Sequence, residues 1–158
     1  MAHPGVRGRR VGDAMVTRPK TQHPATGVRN IRALFEDDHV HMALIVAGDG
    51  RLVTTVERLD LLAAPPRTRD AAELGTLAGR TVRPLDDLDA ATALLLRDGR
   101  RRLAVVDDDG RLVGLLCLKR DRSGYCSDEN VAARAAERVR QAQGARGPWR
   151  PCGGAATR

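Results

Sequence analysis

Two histidines, His39 and His41, stand where a pair of metal ligands could form. They are two residues apart just ahead of an apolar run, so in an extended segment both side chains would point to one face. Imidazole nitrogens are common zinc ligands, but a zinc site needs about three or four protein ligands. The helpers that the sequence offers are His23 and either Asp37 or Asp38. We predict that no metal site forms.

An acidic run at residues 107–109, followed by Gly110, has the composition of a calcium-binding loop. It lacks the spaced Asp, Asp, Gly and Glu ligands of such loops, so a hairpin turn explains it better. Patterns of catalysis are also missing, since the sequence has no Ser-His-Asp order, Gly-rich phosphate loop or HExxH helix. Cys126 has no neighbouring His that would activate its thiol. The sequence therefore predicts a protein that is not an enzyme.

The cysteines and the apolar runs bear on the compartment. Cys117, Cys126 and Cys152 form no CxxC pair and leave one thiol unpaired in any disulfide scheme, which is typical of a reducing compartment. The longest apolar runs, at 42–47 and 112–118, are too short to span a membrane. No hydrophobic stretch behind the first arginines makes a signal peptide. We predict a soluble, cytoplasmic protein with no membrane partner.

The net charge of +7 lies at the ends of the 158-residue chain. Residues 1–29 hold six basic residues and one acidic residue, and residues 138–158 hold five basic residues and no acidic one. Residues 30–137 hold 16 basic against 19 acidic residues. Aromatic side chains, on which single-stranded nucleic acids stack, are few. Solvated basic ends explain the charge better than a nucleic-acid site, which remains an alternative function.

An internal repeat with a period of 60 residues organises the chain. Residues 20–60 align without a gap on residues 80–120, and both copies contain the string DGRLV, at 49–53 and 109–113. A repeat of this length marks a duplicated supersecondary unit. With two copies it predicts one pseudo-symmetric α/β domain of mixed α+β type, with a cleft between its halves.

Each copy is predicted to follow the order β-α-β-β-α. Apolar residues at helical spacing indicate a helix of about three turns in the first copy: Val28, Ile31, Leu34 and Phe35. Thr26 is its expected cap, and Asp86 or Asp87 is the expected cap of the matching helix in the second copy. Strand pairs around tight turns follow at 43–46 and 52–56, and at 103–106 and 112–116.

Composition sets the expected boundaries. A Pro-rich break separates the copies, Ser127 and Asp128 cap a helix behind the second copy, and Gly, Pro and Arg dominate the tail. We divide the chain into a flexible basic N-terminus, the first copy, a linker, the second copy, a C-terminal helix and a disordered basic tail, at residues 1–10, 11–63, 64–70, 71–125, 126–142 and 143–158.

Three strings connect this repeat to a known family. They are VGDAM at 11–15, IVAGDGRLVT at 45–54 and VVDDDGRLVG at 105–114. With the helices between them, they resemble tandem cystathionine-β-synthase (CBS) domains, the paired units called Bateman modules, over about residues 10–122. The resemblance implies that the copies pack through their sheets and that adenine nucleotides or related adenosyl compounds bind in two clefts between them.

In this family the cleft signature is a Gly, then a Thr or Ser that contacts phosphate, then an Asp that binds the ribose, at steps of three residues. The two copies carry Thr54, Glu57 and Asp60, and Gly114, Cys117 and Arg120. The resemblance therefore implies that Asp60 keeps the ribose contact, whereas the Glu57 carboxylate would repel phosphate. It further implies a base pocket lined by Thr21, His41 and Met42, with Arg102 or Arg120 near the phosphate.

Two of these positions have a plainer interpretation. Asp60 stands where a helix begins, and an exposed acid there is favourable with the helix dipole alone. Residues 100–102, three arginines that lead into a strand, must alternate between faces, so at least one is expected to face solvent without a ligand.

The resemblance implies a non-catalytic regulatory protein that senses AMP, ATP or S-adenosylmethionine and acts on an unknown partner protein or through its own dimer. We expect a homodimer because short helices near 11–16 and 59–62 have apolar faces with no evident cover. A structural dimerisation module with an empty cleft remains an alternative, since both signatures are degraded.

Overall fold

The computed structural model describes residues 8–145. It divides into one unit that ends at Ser127 and a second that begins at Asp128. The second unit contains helix α5, Asp128–Ala145. The elements of the first unit are α1 (Val11–Ala14), β1 (Thr21–Gln22), α2 (Val28–Leu34), β2 (Ala43–Val46), β3 (Leu52–Val56), α3 (Arg58–Ala63), a 3₁₀ helix (Ala71–Glu73), β4 (Thr81–Val82), α4 (Leu88–Asp98), β5 (Arg102–Val106) and β6 (Leu112–Cys117).

The strands form two three-stranded sheets of the same design. In the first, β1 is parallel to β2, and β2 is antiparallel to β3. In the second, β4, β5 and β6 repeat this arrangement. The registers match as well, since Thr21 lies opposite Leu44 and Thr81 lies opposite Ala104. The predicted mixed α+β fold with pseudo-two-fold symmetry is confirmed.

The start of α2 differs from the prediction. Gly27, not Thr26, is the N-cap, and no side chain caps the helix, which spans seven residues and is therefore shorter than three turns. The physical reason is a contact distant in sequence: the Val28 N–H donates to the Arg69 carbonyl over 2.8 Å, so a helix N–H is satisfied without a hydroxyl. In α4 the predicted cap is present, since the Asp87 side chain accepts from the Ala90 N–H.

The segment ahead of each copy packs against the other copy. The Val11 N–H donates to the Asp86 carbonyl, and the Ala71 N–H donates to the Thr26 carbonyl, which are equivalent contacts under the 60-residue offset. Val11 is buried in the apolar cluster of α4 and the second sheet, whereas Ala71 is buried in the cluster of α2 and the first sheet. Each core is therefore closed by the other copy's leading segment.

The packing of each leading segment against the other copy covers one of the two apolar faces expected to form a dimer interface. Val11 and Val16, whose apolar face we expected a second chain to cover, are at most 2% exposed within this one chain. Leu59 and Leu62 on α3 do stay exposed, at 73% and 80%. The apolar surface left for a partner therefore lies on α3 and not on α1.

The two sheets meet in a small apolar cluster built by both copies, with Met42, Leu44, Leu52 and Ala104 at its centre. The hairpin turns join at the same interface, because the Leu52 N–H donates to the Gly110 carbonyl and the Leu112 N–H donates to the Gly50 carbonyl, both over 3.0 Å. These reciprocal hydrogen bonds hold the two copies in one relative arrangement.

The predicted disordered ends fall mostly outside the described residues. Within them, the Arg9 carbonyl accepts from the Leu88 N–H, and residues 143–145 belong to α5. In the part of the chain that the structure describes, no helix is both long and apolar enough to cross a membrane.

Candidate functional site

A pocket opens where the two copies meet at the ends of their sheets. The first copy contributes the residue two positions before β2 and the β3–α3 junction, and the second copy contributes the α4–β5 junction. Its lining residues are His41, Glu57, Arg58, Leu59, Gly99, Arg100, Arg101 and Arg102. The cavity volume is about 190 Å³, below the roughly 300–1,000 Å³ of drug-sized small-molecule sites. Four arginines against one glutamate make the lining strongly basic.

A network of ion pairs between the copies borders this pocket. Arg80, just before β4, holds Asp60 with two hydrogen bonds of 2.6 and 3.2 Å. Arg80 also lies 3.5 Å from Glu57, which accepts from Arg100 over 2.8 Å. The Arg80 side chain is 7% exposed and those of the two acids 18–19%. All these pairs join an acid of the first copy to a base of the second, so they fasten the cleft.

Both carboxylate oxygens of Asp60 therefore already accept hydrogen bonds from Arg80. Its Oδ2 also accepts from the Glu57 N–H over 2.7 Å, as part of the capping box of α3. Burial raises the pKa of Asp60, but the hydrogen bonds from Arg80 and the Glu57 amide outweigh burial and lower it below 3.8. The expectation of an exposed first-turn acid is wrong, because the second copy's leading segment brings Arg80 onto this carboxylate.

Two other arginines of the pocket lining, Arg58 and Arg102, donate to backbone carbonyls. Arg58 donates to the Phe35, Asp37 and Val40 carbonyls and lies over the Phe35 ring at 5.4 Å, so it closes the end of α2. Arg102 is buried and donates to the Leu118 carbonyl.

Arg101 donates to the same Leu118 carbonyl over 3.4 Å and lies 3.3 Å from the Nε2 atom of His41. Among the residues that the structure describes, no ion pair with a carboxylate includes Arg101.

His41 is neutral at physiological pH. Burial lowers its pKa to about 4, and the positive charges of Arg102, Arg101 and Arg58 act in the same direction. The imidazole therefore adds no charge to the pocket, but the negative charge of an anion bound there would counter the effect of the arginines on its pKa. The arrangement is suited to binding an anion.

The structure brings together two of the six predicted site residues, His41 and Arg102, as pocket lining. Asp60 is one contact away, held by Arg80. Met42 is buried in the cluster between the sheets, while Thr21 is exposed on β1 and Arg120 is exposed in the turn after β6. Of the two arginines predicted to lie near the phosphate, Arg102 is therefore part of the pocket lining and Arg120 is not.

Sequence reasoning missed Arg58, Arg80 and the specific parts played by Arg100 and Arg101. It also treated Glu57 as an isolated negative charge, whereas two arginines neutralise it. One signal could have found Arg80: the 60-residue offset aligns it with Lys20, a basic residue directly before the first strand of each copy.

The cleft related to this pocket by the pseudo-two-fold symmetry carries different residues. At the positions equivalent to Glu57, Arg58 and Arg102 the chain carries Cys117, Leu118 and Met42, and all three are buried. The equivalent of Asp60 is Arg120. The Glu57, Arg58 and Arg102 charges of the pocket therefore have no charged counterparts at the equivalent buried positions.

Comparisons with known proteins agree with this architecture. Residues 80–120 match the family model described as CBS domain. Inosine-5'-monophosphate dehydrogenase of Mycobacterium tuberculosis is 32% identical over 106 residues, which are 66% of this chain and 20% of that protein. The chain thus spans about a fifth of the length of the curated relatives it matches.

Solved structures of paired CBS domains superpose on most of the chain. CBSX2 in complex with AMP gives a TM-score of 0.62 at 28% identity, covering 84% of this chain and 99% of that one. CBSX2 from Arabidopsis thaliana gives 0.58 at 29%, covering 85% and 98%. The cytosolic domain of the Mg²⁺ channel MgtE in complex with ATP gives 0.55 at 26%, covering 70% and 46%. Together with the repeat and the paired sheets, these matches show that the chain carries a tandem pair of CBS domains.

Proposed function

We propose that this chain is a regulatory module that binds a phosphate-bearing adenosine nucleotide in the pocket between its copies. Binding would change the shape of its dimer or its hold on a partner protein. The observation that carries the proposal is the lining of four arginines with one carboxylate that is itself paired. A cleft of this charge favours anionic ligands, because guanidinium groups pair well with phosphate oxygens.

Two related structures support the nucleotide as ligand, since they contain AMP and ATP. S-adenosylmethionine fits less well, because its sulfonium cation would enter a pocket with an excess of arginines. The proposal is for regulation and not for catalysis, since the match to the dehydrogenase covers 20% of that protein. If no nucleotide binds, a structural dimerisation module becomes the better account.

A thermal-shift panel of AMP, ADP, ATP, NADH and S-adenosylmethionine tests the proposal. A ligand at about 100 times its dissociation constant stabilises the native state by roughly 2.7 kcal/mol, which corresponds to a rise of about 5–10 °C for a chain of this size. We expect ATP and ADP to produce the largest rise and S-adenosylmethionine the smallest. The absence of any shift with millimolar nucleotide would count against the proposal.

We also propose that the chain forms a homodimer through α3. Leu62 is 80% exposed on this helix, and exposed leucines beside one another rarely face water in a stable monomer. Sedimentation equilibrium should show a dimer for the wild type and a shift toward monomer for Leu62→Asp. Leu85→Asp is the matched control, because Leu85 is 79% exposed in the turn before α4 and should leave the dimer intact. A wild-type monomer at tens of micromolar would refute the dimer.

A further inference from the structure

His41 and Arg101 form an unusual pair, because each is a base and no acid lies between them. The Arg101 Nη1 and the His41 Nε2 are 3.3 Å apart. A guanidinium can only donate hydrogen bonds, so this contact requires His41 Nε2 to be the unprotonated acceptor. Two groups suited to an anion are thus paired with one another in the pocket.

Within residues 8–145, the side chains that act electrostatically on His41 are all basic. The charged side chains that act on His41 are Arg102 and Arg101 from the second copy, Arg58 from α3 and the neighbouring His39. The one acid in the pocket lining, Glu57, accepts from Arg100 over 2.8 Å and lies 3.5 Å from Arg80. The field at the His41 ring is therefore positive from both copies.

The pocket offers little to a nucleoside by comparison. Asp60, at the ribose position of the family signature, gives both carboxylate oxygens to Arg80. No Phe, Tyr or Trp is among the lining residues of the pocket, so the His41 imidazole is the one ring there on which a purine base could stack. The four guanidinium groups of the lining are donors suited to phosphate oxygens.

We propose that the pocket recognises the phosphate groups of its ligand and is indifferent to the nucleoside, and that binding places one proton from solvent on His41 Nε2. The inference rests on the proposed function and specifies which part of the ligand the pocket recognises. An entering phosphate takes the Arg101 donor from His41. The imidazole, released from its role as acceptor, binds a proton from water and donates it in a hydrogen bond to phosphate.

The sign of the pH effect follows from this exchange. In the free protein the pKa of His41 is about 4, so the ring is neutral from pH 5 to pH 7. A bound phosphate raises that pKa, because it supplies negative charge and an acceptor for the protonated ring. The complex therefore holds more protons than the free protein, and affinity increases as the pH falls from 7 toward 5.

The test uses the full chain with ATP, inorganic triphosphate and adenosine. Calorimetric titration at pH 6 should give dissociation constants for ATP and triphosphate within about tenfold, and no measurable binding of adenosine. Proton NMR of the imidazoles, assigned with His41→Gln and with His39→Gln as the matched control, should show the His41 pKa rising from about 4 to above 6 when triphosphate saturates the protein. Because phosphate itself titrates at about pH 6, His41→Gln also gives the baseline for the pH dependence of affinity.

Two results would overturn the inference while leaving the proposed function in place. One is ATP binding with triphosphate inactive, which would show that the nucleoside is read. The other is a His41 pKa that stays near 4 in the saturated complex, or an affinity whose pH dependence is unchanged in His41→Gln. If neither ATP nor triphosphate binds, the proposed function itself fails.

Discussion

Asp60→Ala is expected to lower the free energy of unfolding by about 3 kcal/mol, far more than loss of an ordinary first-turn acid. The change leaves the Arg80 guanidinium, with a side chain 7% exposed, without its closest carboxylate at 2.6 Å. Removing one partner of a buried pair costs about 3–5 kcal/mol, and Glu57, still 3.5 Å from Arg80, offsets part of it. Urea denaturation monitored by circular dichroism measures the difference.

Asp13→Ala is the matched control. Asp13 occupies the same capping position in α1, where its carboxylate accepts from the Arg10 N–H over 2.8 Å, but it is exposed and has no ion pair among those found within residues 8–145. Losing a cap costs about 1 kcal/mol, so the two variants should differ by about 2 kcal/mol. Equal destabilisation would mean that the pair with Arg80 adds nothing.

The same pair predicts a pH effect with a definite sign. The pKa of folded Asp60 lies below 3.8 because the hydrogen bonds from Arg80 and the Glu57 amide outweigh burial. Its stabilising contribution is therefore complete above the unfolded value and is lost as the pH falls through the lowered folded value. Asp60→Ala should accordingly lose less stability than the wild type between pH 4 and pH 2.

Local features of this fold could be predicted from the sequence. The strands β2, β3, β5 and β6 follow from short apolar runs on either side of tight turns, and the cap of α4 follows from an Asp at the right position. The 60-residue register adds the pseudo-symmetry. These features depend on near neighbours in the chain, or on a repeat that is visible in the letters.

Features that depend on distant residues could not be predicted in the same way. The N–H at the start of α2 is satisfied by Arg69, about 40 residues away in sequence, so the Thr26 hydroxyl was not needed. Asp60 was expected to be free because Arg80 reaches it only after the leading segment of the second copy crosses to the first. The pocket also depends on residues distant in sequence, because its lining combines the β3–α3 junction of the first copy with the α4–β5 junction of the second.

The double variant Arg100→Ala/Arg101→Ala is expected to weaken ATP binding by at least about 100-fold. In the proposed complex each guanidinium would donate charge-assisted hydrogen bonds to phosphate, worth about 1.5–3 kcal/mol apiece, and a hundredfold loss corresponds to about 2.7 kcal/mol. Arg51→Ala/Arg111→Ala is the matched control. It removes the same two charges from the exposed hairpin turns, which are not part of the pocket lining.

Isothermal titration of ATP into the wild type and these two double variants tests the central claim, that one charged pocket between the CBS copies binds the ligand. We predict one binding site per chain, an affinity preserved in Arg51→Ala/Arg111→Ala, and an affinity lost in Arg100→Ala/Arg101→Ala while circular dichroism shows the latter folded. Equal affinity in all three proteins, or equal weakening in both double variants, would contradict the claim, because binding would then depend on no charge in the pocket or on net charge alone.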